Sequence, residues 1–327
     1  MKRFGIVIGA AAVLAWTQGA PALLSQQRQA FQSRSDIVEV FATATGRNGA
    51  GVHDLRGDEF ELLVDGKPRE IAVFSALVQP LSVAIVLDHS GSTQREFPRI
   101  LQAAGAFVGR LFKEDRARVG TLAWDCLPFT SDRTTIVDGL QTLMPKDPGS
   151  PVWSAANRAM SALAAEPGRR VILLLSDGVD NQSEMLNLRA QAARPPNSDT
   201  HGCVRADTTK LVELPEVIDR TERDSVMVYA VVVPDVDLGT QPPIIQRKGP
   251  ASLAKLTKRS GGSVHQLTDY SQLEAAFKVI ADELHLQYLL GFEPGTFDGK
   301  SHDITVRVKR PGVSIRARQS YIAPVIK

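Results

Sequence analysis

The chain has 327 residues, of which 43% are hydrophobic and 23% charged, and this composition is that of an ordinary globular protein rather than a disordered one. It carries 38 basic and 36 acidic residues, a net charge of +2, and no basic run stands out, so the sequence gives little support to nucleic-acid binding. The length allows one large domain, or a large domain with a small one.

The first residues have the pattern of an export signal. Lys2 and Arg3 precede an apolar stretch at 5–16, and residues 20–22 (Ala-Pro-Ala) offer a cleavage site. We therefore predict a signal peptide over 1–22 and a flexible polar leader over 23–35. An uncleaved N-terminal anchor is the alternative, although the stretch is short for a membrane span, which needs about 20 apolar residues.

No second apolar span follows, so we expect no membrane span after signal removal. The mature chain is then expected outside the cytoplasm, in the periplasm, in the extracellular space or at the cell surface.

Alternating strand-like segments at 36–80 and 287–327 flank a region with a different pattern. In the first segment, Asp65-Gly66 between alternating apolar residues predicts a hairpin. Between the flanks, over 81–286, continuous apolar runs alternate with amphipathic helices, which predicts a doubly wound, mainly parallel α/β sheet. Each flank is too small to bury a core alone, so we expect the two to form one β-sandwich.

Two of the apolar runs end in polar motifs. One is followed by Asp88-His89-Ser90-Gly91-Ser92, and the other ends in Ser176-Asp177-Gly178. Ligands of such sheets bind outside the carboxyl ends of the strands, so the two motifs are expected at one edge. Hydroxyl oxygens two residues apart can point at one ion from a tight loop, and Mg²⁺ prefers oxygen ligands.

The segments VAIVLDHSGS and VILLLSDGVDN resemble the two conserved segments of von Willebrand factor type A (VWA) domains, which have a Rossmann-like fold. From residue 36 onward, the whole pattern resembles the VWFA-related subfamily common in Acidobacteria. The family carries a threonine ligand before a helix. An ungapped match puts Ser150 there, which keeps the hydroxyl but loses the methyl group of threonine and is followed by a proline, and this is a departure from the family pattern.

The resemblance implies a metal-ion-dependent adhesion site. Its expected cofactor is Mg²⁺ or Mn²⁺, and its expected ligand set is Asp88, Ser90, Ser92, Ser150 and Asp177. An open position on the ion would accept an acidic residue from a protein partner. The implied function is therefore metal-dependent protein binding or adhesion, without catalysis.

Two alternatives stay open at this point. A VWA scaffold could bind partners without metal. A haloacid-dehalogenase-like phosphatase also has an apolar strand ending in Asp, but its chemistry needs a carboxylate two residues later, where this chain has Ser90. A serine hydrolase is disfavoured because no G-x-S-x-G occurs. His89 is expected to be a solvent-facing loop residue.

Three insertions follow strand ends on the predicted metal face: the segment starting at Asp125, residues 178–206, and residues 234–250. Long loops of this kind are often functional, and we expect them to set partner specificity. Cys126 follows a strand end and Cys203 lies in the second insertion. Because export permits disulfides, we predict a Cys126–Cys203 bond that tethers this insertion.

Overall fold

The computed structural model describes residues 37–142, 147, 149–181, 204–205, 212–234 and 243–325. The predicted signal peptide and leader lie outside the described residues, as do most of the second and half of the third insertion. Residues from Val38 onward form one compact unit.

The described residues contain fifteen strands and six α-helices. The strands, in chain order, are β1 (Val38–Gly46), β2 (Phe60–Val64), β3 (Lys67–Arg69), β4 (Val73–Ser75), β5 (Leu81–Leu87), β6 (Arg116–Thr121), β7 (Trp124–Asp125), β8 (Arg169–Ser176), β9 (Val204–Arg205), β10 (Val226–Val232), β11 (Val264–Gln266), β12 (Tyr288–Phe292), β13 (Ser301–Val308), β14 (Val313–Ala317) and β15 (Ser320–Ile322). The helices are α1 (Phe97–Arg110), α2 (Arg133–Thr142), α3 (Val152–Leu163), α4 (Leu214–Arg223), α5 (Pro243–Ser260) and α6 (Leu273–His285).

The central sheet has seven strands in the order β11-β10-β8-β5-β6-β7-β9. From β11 to β6 all neighbours are parallel, whereas β7 and β9 pair antiparallel at one edge. All seven residues of β5 are buried. This is the expected outcome for a continuous apolar run, because helices cover both faces of a parallel sheet.

The two faces of β5 contribute to separate hydrophobic cores. Val83 and Ile85 belong to a cluster with apolar residues of α1 and α6. Ala84 and Val86 belong to a second cluster, with residues of α3, α4 and α5. Alternate residues of a strand point to opposite faces, so one apolar run supplies both cores. The predicted doubly wound α/β architecture is confirmed.

The flanking strands form two four-stranded antiparallel sheets, β14-β1-β12-β4 and β15-β13-β2-β3. Each sheet mixes strands from both ends of the chain, and a third apolar cluster draws on strands of both sheets. Asp65 and Gly66 have positive φ angles of 50° and 74° in the turn between β2 and β3, as the predicted hairpin requires. The predicted sandwich built from both chain ends is therefore present.

Two segments differ from the sequence-based expectation. The segment from Asp125 does not extend away from the sheet: β7 turns back antiparallel to β6, and Leu127 N–H donates to the Val119 carbonyl over 3.1 Å. The third insertion, predicted as loop to residue 250, is helical from Pro243 onward, as the first part of α5. Gly249 and Pro250, the last two residues of the predicted insertion, both lie within the helix.

Candidate metal site

The two carboxylates of the predicted site follow neighbouring strands of the central sheet. The parallel register of β5 and β8 sets Leu87 opposite Leu175. Asp88 N–H then donates to the Leu175 carbonyl over 2.9 Å, so the pairing continues one residue beyond β5. Asp177 directly follows β8. Both aspartates therefore lie at one edge of the sheet, at the carboxyl ends of parallel strands, as the sequence predicts.

Asp88 organises the D-x-S-x-S loop from within the protein. Its side chain is fully buried, with Oδ1 accepting from Ser90 N–H over 2.9 Å and Oδ2 accepting from the Ser176 hydroxyl over 2.8 Å. The Thr93 hydroxyl donates to the Asp88 carbonyl over 2.7 Å and closes the loop. Burial raises the pKa of Asp88, and these hydrogen bonds act in the opposite direction. Asp88 thus organises the loop from behind rather than at its surface.

Three oxygens in front of Asp88 have the spacing of neighbouring metal ligands. Ser90 Oγ lies 3.3 Å from Ser92 Oγ, and Ser92 Oγ donates to Asp177 Oδ2 over 3.0 Å. An octahedral Mg²⁺ binds oxygen at about 2.0–2.1 Å, which separates adjacent ligand oxygens by about 3 Å. Two hydroxyls and one carboxylate at these distances fit a hard divalent cation such as Mg²⁺ or Mn²⁺.

Ser150, the third predicted hydroxyl ligand, is buried in the loop before α3 and is fixed through its backbone. Its N–H donates to Asn181 Oδ1 over 2.6 Å, and its carbonyl accepts from Asn181 N–H over 3.1 Å. At the start of α3, Trp153 N–H donates to Asp180 Oδ2 over 3.0 Å. The Ser150 hydroxyl makes no hydrogen bond to the other four predicted ligands, all of which the structure describes.

Asp147 is a buried carboxylate of this edge that the sequence did not identify. It is 3% exposed, and it accepts hydrogen bonds from the Thr121 hydroxyl and from Leu122 N–H at 3.0 Å. Burial raises its pKa to about 7; the Thr121 hydrogen bond lowers it, while the charge of Asp88 raises it further. In the sequence, Asp147 stands beside proline and glycine and resembles a turn residue, so no signal distinguishes it.

His89 is more buried than a solvent-facing loop residue. Its ring stacks on that of Phe97, at the start of α1, with 3.4 Å between the centroids and 1° between the planes. Its backbone carbonyl accepts from Asp147 N–H over 3.0 Å. The variable position within the motif therefore anchors the loop to a helix and to a neighbouring loop.

Gly178 lets α5 pack against the loop that carries Asp177. Its φ is +79°, and a Cβ built there would lie 2.6 Å from the backbone of Gly249. In return, a Cβ on Gly249 would lie 2.7 Å from the Asp177 carbonyl oxygen. Only glycine fits this close backbone approach, which explains why Gly249 occurs inside a helix.

The structure describes one of the two cysteines of the predicted disulfide. Cys126 is disulfide-bonded, and the chain contains two cysteines. Cys203 lies outside the described residues. The strands β7 and β9 set Asp125 opposite Val204, which are the sequence neighbours of the two cysteines. This pairing is the one that a Cys126–Cys203 bond at the edge of the central sheet requires.

A hydroxyl–histidine–carboxylate arrangement lies on the sandwich, away from the two motifs. His302 Nδ1 is 2.7 Å from Asp65 Oδ2, while Nε2 lies 3.2 Å from Thr296 Oγ1 and 3.1 Å from Asp298 Oδ1. The hydrogen bonds to Asp65 and Asp298 raise the pKa of His302. These two hydrogen bonds therefore favour the protonated ring, which is the form that cannot act as a general base for the threonine.

In the ranges that the structure describes, no three His, Cys, Asp or Glu side chains come together so as to hold a metal ion. A site at the strand edge depends instead on serine hydroxyls beside the aspartates. Within the same ranges, no helix is long and apolar enough to cross a membrane.

The model of the von Willebrand factor type A domain family matches residues 82–279, which is more than half of the chain. This range contains all five predicted ligands. A search of curated proteins finds no relative that matches.

Several solved structures are similar to the chain at low identity. The vWF domain of the type V pili tip protein Mfa5 from Porphyromonas gingivalis is 14% identical, with a TM-score of 0.45, covering 63% of this chain and 95% of that one. A von Willebrand factor type A protein from Catenulispora acidiphila is 11% identical, with a TM-score of 0.44 and coverages of 83% and 76%. The pilus adhesin SpaC from Lactobacillus rhamnosus GG is 10% identical, with a TM-score of 0.44, covering 81% of this chain and 48% of that one. At this similarity, the structures say nothing about what this chain binds.

Proposed function

Because the chain belongs to the von Willebrand factor type A domain family, we propose that it is an exported, non-enzymatic protein-binding module whose grip depends on a divalent cation. Ser90, Ser92 and Asp177 hold Mg²⁺ or Mn²⁺, Asp88 supplies charge behind them, and Ser150 contributes from the loop before α3. When bound, the cation supplies an open position that can accept a carboxylate oxygen from an Asp or Glu of the partner.

The observation that carries the proposal is the spacing of the three front oxygens. The distances of 3.3 Å between the serine hydroxyls and 3.0 Å from Ser92 to Asp177 are those of adjacent ligands of one small cation. The charge balance supports the same reading. Asp88 and Asp147 are buried behind this edge and are bonded to hydroxyls and backbone N–H groups, so a cation would compensate charge that these partners leave.

A preference for acidic partners follows from the donor set. Two of the three front oxygens are neutral hydroxyls, and both Asp88 oxygens are already bonded to the protein. A cation held with few direct carboxylates keeps much of its charge, so a partner's carboxylate is its most favourable additional ligand.

A phosphatase reading is disfavoured by burial as well as by sequence. Asp88 would have to be the nucleophile, yet it is fully buried with both oxygens bonded. Ser90 stands where the general acid is required. We therefore propose no catalytic residues.

One observation favours a second candidate, a scaffold that binds partners without metal. Ser92 donates to Asp177 and lies beside Ser90, so these side chains already satisfy one another in the absence of a cation. In that case the loops at this edge form the contact surface directly.

Thermal unfolding of the mature chain in EDTA, and then in millimolar Mg²⁺ or Mn²⁺, separates the two candidates. A cation that binds only the native state raises the unfolding midpoint, and at 100 times its Kd it stabilises by about 2.7 kcal/mol. We expect this rise in the wild-type chain and its absence in Asp88→Ala, which should still unfold cooperatively in EDTA. An unchanged midpoint at every concentration would favour the metal-independent scaffold.

Export is tested separately. Expression in a bacterial host followed by N-terminal sequencing of the fraction outside the cytoplasm should give a mature chain that begins after Ala22. Retention of residues 1–22 on a membrane-associated protein would indicate an anchor instead.

A further inference from the structure

Two residues outside the predicted ligand set fasten its three loops together. We infer that Asp147 and Asn181 are positioning residues of the metal site, which hold the ligand loops in a closed ring before any cation binds. The inference rests on the proposed function and adds the mechanism by which the site is preformed.

The first clamp joins the D-x-S-x-S loop to the loop before α3. Asp147 N–H donates to the His89 carbonyl over 3.0 Å, and His89 N–H donates back to Asp147 Oδ2 over 3.4 Å. Because His89 is the residue between Asp88 and Ser90, this reciprocal pair fixes the backbone from which the Ser90 hydroxyl projects. Leu122 N–H, at 3.0 Å from the same Asp147 oxygen, holds the clamp to the end of β6.

The second clamp joins the loop before α3 to the loop after β8, and it has the same form. Ser150 N–H donates to Asn181 Oδ1 over 2.6 Å, and Asn181 N–H donates to the Ser150 carbonyl over 3.1 Å. Both backbone groups of Ser150 are therefore fixed by one residue. Asn181 lies four residues after Asp177.

The remaining side of the ring joins the first loop to the third. Ser176 donates to Asp88 over 2.8 Å, and Ser92 donates to Asp177 over 3.0 Å. Each pair of ligand loops is thus linked by two or more hydrogen bonds. A site preorganised in this way binds its ion without first ordering the loops, and loss of such supporting partners typically weakens metal affinity by about 10–100-fold.

Neither positioning residue is needed as a ligand. Asp147 directs its carboxylate to Thr121, Leu122 and His89, and the Asn181 amide oxygen is used by Ser150. Substitutions at 147 and 181 therefore leave all five predicted ligands in place. A change in metal affinity in these variants would therefore report on the positioning of the ligands and not on the loss of a ligand.

The test is a calorimetric titration of the full mature chain with Mn²⁺, well below its unfolding midpoint. We expect Asn181→Ala and Asp147→Ala each to weaken Mn²⁺ binding by about 10–100-fold. Asp147→Asn is the conservative variant: its amide oxygen can still accept from His89 and Leu122, and its NH₂ group can donate to the Thr121 hydroxyl. It should bind within about threefold of wild type.

Asp115→Ala is the matched control. Asp115 is 3% exposed, as is Asp147, and it also accepts hydrogen bonds from two backbone N–H groups, but it lies at the opposite end of β5. It should lose stability while its Mn²⁺ affinity stays at the wild-type value.

The outcomes separate the inference from the proposal on which it rests. Wild-type binding with unchanged affinity in both alanine variants would overturn the positioning role alone. Equal loss in Asp147→Asn and Asp147→Ala would show that the charge of Asp147, not its clamp, matters. No Mn²⁺ binding by the wild-type chain would overturn the proposed function, and the inference with it.

Discussion

Carboxyl groups are buried at both ends of the central strand β5, but their pKa values are shifted in opposite directions at the two ends. At the carboxyl end, Asp88 is fully buried and Asp147 is 3% exposed, and burial raises the pKa of both. At the amino end, Asp115 is also 3% exposed, yet its pKa is lowered. Burial there acts to raise it, but His285 and backbone N–H groups outweigh that effect.

The partners explain the difference. Asp115 accepts from Leu81 N–H at 3.0 Å and Phe112 N–H at 2.7 Å, and it lies 2.7 Å from His285 Nε2. The His285 ring in turn stacks on Phe112 with 3.8 Å between the centroids. The amino end of the strand therefore completes its electrostatics within the chain, whereas burial at the carboxyl end favours the protonated form of both carboxyls, and a cation bound there would favour the charged form. Equal burial thus goes with a structural carboxylate at one end and, under the proposed function, with a binding edge at the other.

The largest effect on stability is expected from Asp115→Ala. The variant leaves two backbone N–H groups and the buried His285 without their acceptor, and removing one member of a buried pair costs about 3–5 kcal/mol. Urea unfolding at neutral pH should show this loss equally in EDTA and in Mg²⁺. A loss of stability seen only in Mg²⁺ would mean that Asp115 acts through the metal site, and the two ends of β5 would then not differ as described.

The pH dependence of the same variant has a defined sign. Because the pKa of Asp115 is lowered in the folded state, its contribution is present above the unfolded value of about 3.9 and is lost as pH falls through the folded one. The difference between wild type and Asp115→Ala should therefore shrink in acid below about pH 4.

A smaller effect, and one of different character, is expected from Asp88→Asn in EDTA. The substitution removes a buried charge that hydroxyl and backbone donors balance only in part, and the amide can still accept from Ser90 N–H. The free energy of unfolding should stay within about 1 kcal/mol of wild type or rise. A loss as large as that of Asp115→Ala would show that Asp88 is structural, as Asp115 is.

The smallest effect on stability is expected from His302→Gln. This variant tests whether the large stability contribution of the Asp115–His285 pair is due to its burial. His302 lies between Asp65 and Asp298 on the sandwich, where the two carboxylate side chains are 50% and 37% exposed. Its pKa is raised, so its stabilisation is complete below the unfolded value of about 6.5 and is lost as pH rises through the folded one. The variant should be slightly less stable than wild type at pH 5.5 and equal to it at about pH 9. If His302→Gln lost as much stability at pH 5.5 as Asp115→Ala does, burial would not explain the large contribution of the Asp115–His285 pair.

The sequence predicted those features that depend on local pattern. The apolar run of β5 indicated a strand buried on both faces, and Asp65-Gly66 indicated a hairpin; the structure has both. The aspartates at the ends of β5 and β8 were expected at one edge because parallel register brings the carboxyl ends of adjacent strands together.

Features that depend on contacts between distant loops could not be predicted in this way. Asp147 and Asn181 look like turn residues until the loops that carry them meet His89 and Ser150. The sequence pattern places Gly249 in the predicted loop of the third insertion, because its close packing against Gly178 is visible only once α5 and the loop after β8 are placed together. These positions are identified by the contacts they make with residues of other loops, and not by their residue type.

The most direct test of the metal site is a Mn²⁺ titration followed by electron paramagnetic resonance, comparing the wild-type chain with Ser92→Ala. Ser92 lies 3.3 Å from Ser90 and 3.0 Å from Asp177, so its hydroxyl is the central donor of the three. We predict one Mn²⁺ bound per wild-type chain, displaced by excess Mg²⁺, and a large loss of affinity in the variant. Wild-type binding that is unchanged in Ser92→Ala, or no binding to the wild-type chain, would contradict the assignment of this edge as a metal site.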